Sequence, residues 1–127
     1  MIRLLLCTTL LAIGGCGSQG LRTTDGQYGI TWTPQPPQVV PTNEYFDIVV
    51  QVEPAHGSLR GHDMVFDATM PAHRHGMNVI VTPEQTGPDA WIVRDVLLHM
   101  PGEWVFDFDV IDDRGVLHRA REAVVLK

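Results

Sequence analysis

Turn-forming residues recur at intervals near ten along this chain, and that spacing leaves room for short strands and little else. Pro34-Gln-Pro-Pro37, Pro54-Ala-His-Gly57, the stretch from Thr82 to Asp89, Pro101-Gly102 and Asp112-Asp-Arg-Gly115 are the punctuation. Proline fixes φ and lacks an N–H, and glycine reaches backbone angles that other residues avoid, so clusters of these residues end regular elements. Between them the apolar residues alternate. Phe46, Ile48, Val50 and Val52 share one parity, with Asp47 and Gln51 on the other. Trp104, Phe106, Phe108 and Val110 do the same around Asp107 and Asp109. A period of two marks a strand with one face in a core and one in water. On that reading Asp107 and Asp109 are the solvent face of their strand.

The pattern predicts seven strands, at 27–33, 44–52, 62–69, 77–82, 91–98, 104–110 and 116–126. A chain of 127 residues is long enough for one core and not for two. Seven short strands in one small domain point to an all-β fold, an immunoglobulin-like antiparallel β-sandwich. A small barrel or a cupredoxin-like Greek key shares this strand pattern. The net charge of −6 excludes a nucleic-acid reader, which needs a basic surface to neutralise phosphates.

The first residues read as an address. Arg3 is followed by the apolar run from Leu4 to Ile13 and then Gly14-Gly15-Cys16. A positive start, a short apolar run and small residues form a secretory signal, and small residues directly before cysteine resemble the bacterial lipoprotein box. That resemblance implies removal of residues 1–15 and lipidation of Cys16. Residues 16–26 are then the lipid-bearing cysteine and a flexible tether, and 27–127 the folded domain. The expected partner is the lipid bilayer, reached through Cys16, and the expected location is the extracytoplasmic cell envelope. Gly17 rather than Asp after the cysteine favours an outer membrane where the cell has one. Cys7 leaves with the signal, so the remaining chain has no disulfide and no thiolate chemistry.

One segment carries a distinctive donor set. Met70-Pro-Ala-His-Arg-His-Gly-Met77 holds two histidines and two methionines, and His99-Met100 repeats the pairing before Pro101-Gly102. On an extended backbone His73, His75 and Met77 point to one face and Arg74 to the other. Gly76 would allow a ligand or loop close to the backbone. Thioether sulfur selects Cu(I), and imidazole accepts both Cu(I) and Cu(II). Zinc prefers Cys, His and carboxylate, and calcium prefers oxygen. Met70, His73, His75, Met77, His99 and Met100 are therefore the candidate ligands of one copper ion. Loops gather at the ends of a sandwich, which would bring the two segments together. Met64 lies on a strand pattern and reads as core. His56, His62 and His118 fall outside the candidate site. No cysteine nucleophile, Gly-x-Ser-x-Gly elbow, His-Glu-x-x-His pair or phosphate loop is present, so the chain is not expected to be an enzyme.

Asp67-Ala-Thr-Met-Pro-Ala-His-Arg-His-Gly-Met77 resembles the signature of the YtkA-like domain family, and His99-Met-Pro-Gly-Glu-Trp104 resembles its later turn and strand. Tyr28-Gly-Ile-Thr-Trp-Thr-Pro-Gln-Pro-Pro is similar to its first hairpin. The likeness runs from about Tyr28 to about Leu126. It implies an immunoglobulin-like sandwich, export or membrane tethering, and copper handling in the style of FixH and other accessory proteins of cytochrome oxidase maturation. It assigns the site to Met70, His73, His75 and Met77, with His99 and Met100 as a second contribution. Arg74 departs from the pattern, which commonly has a small residue such as glycine there. The expected function is a membrane-tethered copper chaperone or buffer that exchanges the ion with a copper-donating or copper-accepting envelope protein. The alternative is a non-metal interaction module of the cell envelope.

Overall fold

Most of the alternating runs become strands, and their apolar parity becomes the core. The computed structural model describes residues 20–36, 39–57 and 61–127. The expected signal segment 1–15, the expected lipidation site Cys16 and the tether residues 17–19 lie outside the described residues. So does the side chain of His62. In chain order the strands are β1 Leu21–Arg22, β2 Tyr28–Gln35, β3 Tyr45–Pro54, β4 Gly61–Met70, β5 His75–Gly76, β6 Glu84–Gly87, β7 Ala90–Leu97, β8 Gly102–Asp112 and β9 Leu117–Leu126. The one helical element described is a 3₁₀ turn at Pro71–His73.

The strands form two antiparallel sheets, ordered β1-β2-β3-β7-β6 and β5-β4-β8-β9. Without the two-residue strands β1 and β5, the orders are β2-β3-β7-β6 and β4-β8-β9. That is the strand order of immunoglobulin domains, four strands in one sheet and three in the other. The inner faces meet in a core whose largest fully buried side chains include Trp91, Trp104, Tyr28, Phe106 and Phe108. Complete burial of a large apolar side chain stabilises by about 1.5–3 kcal/mol, and here that packing stands where antibody domains have a disulfide. Met64 is in this core, as its strand position requires.

Three expectations change. Residues 77–82 are not a strand. The chain must cross there from β5 in one sheet to β6 in the other, and a crossing segment has no ladder to join. The strand beside β7 is instead β6, inside the stretch expected to be a loop. Ordered structure also begins before residue 27. Leu21 and Arg22 pair with Ile30 and Gly29, and Thr23 is buried, so residues 21–26 belong to the domain rather than to a tether. Finally, β2 continues through Pro34 to Gln35. Pro34 lies beyond the reach of the short β1, on an open edge where its missing N–H costs no ladder bond.

Asp107 and Asp109 do face away from the aromatic core, yet both are buried. Arg121 and Arg119, their register partners on β9, lie over them in bidentate pairs, at 2.7 and 2.9 Å and at 2.8 and 2.8 Å. The outer face of this sheet is therefore covered by its own ion pairs.

Candidate metal-binding site

A hairpin and a sheet-to-sheet turn deliver the histidines to one end of the sandwich. β4 ends at Met70, Pro71 opens the 3₁₀ turn, and Arg74 closes it by donating its N–H to the Pro71 carbonyl at 3.3 Å. His75 then pairs with Met70 and Gly76 with Thr69. Residues 71–74 are thus a four-residue hairpin loop, not the extended run expected from the sequence. Proline fits the first turn position because no N–H is needed there. Arg74 sits at φ 54, the left-handed conformation that glycine adopts without penalty. Gly76 is less constrained, since an added Cβ would make ordinary contacts of 3.5 Å to the Ala68 carbonyl and 3.9 Å to Thr69.

The second contribution comes from the turn between β7 and β8, which joins the two sheets. The Asn43 N–H donates to the Leu98 carbonyl at 2.7 Å and pins the start of this turn. The Trp104 indole donates to the Met100 carbonyl at 3.0 Å and pins its end. Held between them, His99 lies over Trp104 with ring centres 5.6 Å apart, edge to face. His75 meets the same indole at 5.9 Å.

The two segments therefore converge. The ring centres of His75 and His99 are 5.1 Å apart, and those of His73 and His75 are 5.7 Å apart. A metal–nitrogen bond of about 2.0 Å puts an imidazole centre about 3 Å from the ion, so two rings on one ion stand about 5 Å apart. His75 and His99 already have that spacing. The His75 Nδ1 is 3.0 Å from the Gly76 carbonyl, which fixes the ring and leaves Nε2 as the outward nitrogen. The His99 Nδ1 is buried with no hydrogen-bond partner. A buried polar atom without a protein partner needs an account, such as a bound water or a bound ion.

The methionines divide. Met70 is fully buried in the core, with its methyl packed towards Gly102. Met77 and Met100 are half-buried against the rim of the core, each beside one of the two histidine segments. His73 and Arg74 are exposed. Because Arg74 is in water, its repulsion of a bound cation several ångströms away is on the order of 1 kcal/mol. Among the described residues, no group of three or more His, Cys, Asp or Glu side chains stands in a geometry that could hold a metal ion.

A second polar cluster, at the opposite end, escaped the sequence. His118 is buried between Asp25, whose Oδ2 is 2.5 Å from Nδ1, and Asp112, whose Oδ2 is 3.0 Å from Nε2. Its ring meets Tyr28 edge to face at 4.9 Å. Two carboxylate partners require both ring nitrogens to donate, so the ring is the imidazolium. Burial opposes that charge, but the hydrogen bonds to Asp112 and Asp25 outweigh it and raise the pKa above 6.5. The hydrogen bond from His118 also holds Asp112 well below the usual carboxylate range, against its burial and helped by Arg114 and the Val116 N–H. Asp25 is 93 positions before His118, and only the pairing of the N-terminal segment with β9 brings them together. Asp112 was legible as a turn residue, but nothing in the sequence linked it to His118. No helix of the described residues is long and apolar enough to cross a membrane. Compared with known proteins, the chain matches no family model, no curated protein and no solved structure.

Proposed function

We propose that this chain is a membrane-tethered, extracytoplasmic copper-binding protein that buffers one copper ion or passes it to a partner in the cell envelope. The observation that carries the reading is the convergence of His75 and His99, from the β4–β5 hairpin and the β7–β8 turn, at the spacing of two ligands on one ion, with a buried His99 nitrogen that has no protein partner. Met77 and Met100 supply soft sulfur beside the same two segments, and His73 stands in water next to His75. Thioether and imidazole together suit Cu(I) and admit Cu(II). Met70 forms the floor beneath His75 rather than a ligand. The resemblance of 67–77 and 99–104 to the YtkA-like family agrees with this assignment. The anchor is the lipidated Cys16 of the lipoprotein-like box, which places the site outside the cytoplasm. When bound, copper would supply charge and redox capacity. The chain's own part is to fix His75 through the Gly76 carbonyl and His99 through its flanking turn, and to leave one side open for exchange.

Burial of Met70 is what a non-metal interaction module would show, and it is the one observation favouring that reading. Titration of the protein with Cu(I) against a competing chelator separates the two. The proposal predicts one ion per chain and loss of at least tenfold in affinity in His75→Ala/His99→Ala. Wild-type binding no tighter than that of the double variant would sink it. Circular dichroism of both proteins checks that the fold is intact.

A further inference from the structure

The N-terminal edge of the sandwich constrains how the domain is held. β1 runs antiparallel to β2, with Leu21 opposite Ile30 and Arg22 opposite Gly29. Followed backward from Arg22 to Gly20, the chain moves along β2 towards Gln35. Gln35 pairs with Asp47 near the start of β3, and Tyr45 pairs with Leu97 at the end of β7, just before His99. The chain thus leaves the domain heading for the end that carries the histidines. Cys16 is five residues before Leu21. Five residues span at most about 18 Å, and the five steps from Ile30 to Gln35 along β2 cover about 17 Å. An anchor at Cys16 reaches the level of the histidine end and little further.

Among the described residues the four most exposed large apolar side chains lie at that end, while Val65, Val116 and Leu117, away from it, are exposed by 46%, 46% and 51%. Val39, Tyr45, Ile80 and Val125 are exposed by 63%, 64%, 99% and 68%. Tyr45 opens β3 and lines a shallow depression with Val79, Ile80 and Asp95. Val39 and Val125 line another beside Leu126, which pairs with Gly102 at the start of β8. Single exposed apolar residues need no explanation, but four at the end towards which the chain exits do. Tyrosine is also a side chain that settles at a lipid–water boundary, with its ring in the apolar layer and its hydroxyl in the wet one. The opposite end exposes charge in Asp25, Glu53, Asp113 and Arg114, beside the less exposed Val116 and Leu117. Charges at the histidine end nearly balance, with Arg74 and Lys127 against Glu44, Asp95 and Glu103, which suits a zwitterionic surface.

We propose that the end of the sandwich carrying His73, His75 and His99 lies against the lipid bilayer, with Ile80, Tyr45, Val39 and Val125 in the interface. This rests on the anchoring reading of Cys16. It makes the membrane surface, rather than open solvent, the place where the site is approached.

The test uses the lipidated full chain on phosphatidylcholine vesicles. Outside the signal segment Cys16 is the only cysteine, so Ile80→Cys and Leu117→Cys each accept one environment-sensitive fluorophore. Both positions are exposed, so neither label disturbs the core. Flotation first reports whether the protein is anchored, with unlipidated Cys16→Ser as the control. The expected result is flotation of the lipidated protein, with a blue shift at position 80 and quenching by lipid-borne nitroxide several-fold stronger there than at position 117. A protein that does not float overturns both the anchor and this orientation. A protein that floats while the two labels are quenched equally, or position 117 more strongly, overturns the orientation alone. A label at position 80 that is shielded only when membrane proteins are added also overturns it, in favour of a protein partner.

Discussion

Replacing Gly102 by alanine tests how tightly the candidate site is keyed to the core. Gly102 starts β8 at φ 122, a conformation that other residues adopt at a cost of about 1–3 kcal/mol. A Cβ built there would stand 2.9 Å from the Met70 methyl, closer than such contacts occur. The atom displaced is the end of a flexible side chain, so although Met70 is fully buried the added cost is on the order of 1 kcal/mol. The two effects together predict a loss of about 3 kcal/mol. In a domain of this size that lowers Tm by about 12 °C. The steric part depends on Met70 alone. In a Met70→Ala background, itself destabilised by about 2–5 kcal/mol, the added methyl has a cavity to enter. Gly102→Ala should then cost only its backbone part, and the cycle should show a coupling of about 1 kcal/mol. Urea denaturation of the four proteins, followed by tryptophan fluorescence, measures every term. A Gly102→Ala protein within about 0.5 kcal/mol of wild type would refute the strained start of β8. Additive losses would refute the contact with Met70.

The remaining predictions concern the other ion pairs and the turn. His118 has a folded pKa above 6.5, so the stability it contributes is full below pH 6.5 and is lost as pH rises through the raised value. Asp112 is depressed from 3.8, so its contribution is present above pH 3.8 and is lost as pH falls through its lower folded value. Urea midpoints between pH 3 and 9 should therefore decline on the alkaline side, and His118→Gln should flatten that decline. Arg119→Ala leaves Asp109 buried without its pair and should cost about 1–2 kcal/mol, discounted because the arginine is half-exposed. Replacing both partners by threonine should cost less than the single change. Arg74→Gly relieves the left-handed angle and should leave stability unchanged or raise it by up to about 1 kcal/mol, and loss of the roughly 1 kcal/mol cation repulsion should raise copper affinity by up to about fivefold. Calorimetry and the chelator titration read the two halves of that statement.

The sandwich was legible because a period of two survives in a single sequence. Phe46 to Val52 and Trp104 to Val110 each present one face to the same core, and their parity matched the buried residues. What the pattern could not carry was any decision made by a partner strand. Val79, Ile80 and Val81 look like strand residues, but they fall where the chain changes sheets. Asp107 and Asp109 look solvated, but the register brings two arginines over them. The candidate site was legible in composition and only partly in geometry. The expected convergence of the His73–Met77 segment with His99 is found for the imidazoles. The extended backbone expected there is replaced by a turn, because Pro71 opens a 3₁₀ turn and Arg74 closes it in the left-handed region. The Asp25–His118–Asp112 cluster was invisible for a simpler reason: Asp112 meets His118 across the β8–β9 turn, but Asp25 reaches it only where the N-terminal segment contacts β9.

The central claim is that one copper ion is held by imidazole nitrogen from His75 and His99 together with thioether sulfur. X-ray absorption of the one-to-one Cu(I) protein reads this directly, because nitrogen and sulfur neighbours scatter at different distances. The account predicts a nitrogen shell at about 2.0 Å and a sulfur shell at about 2.3 Å, with the nitrogen shell lost in His75→Ala/His99→Ala and the sulfur shell lost in Met77→Leu/Met100→Leu. A spectrum with no sulfur neighbour, or one unchanged in the histidine variant, would contradict it.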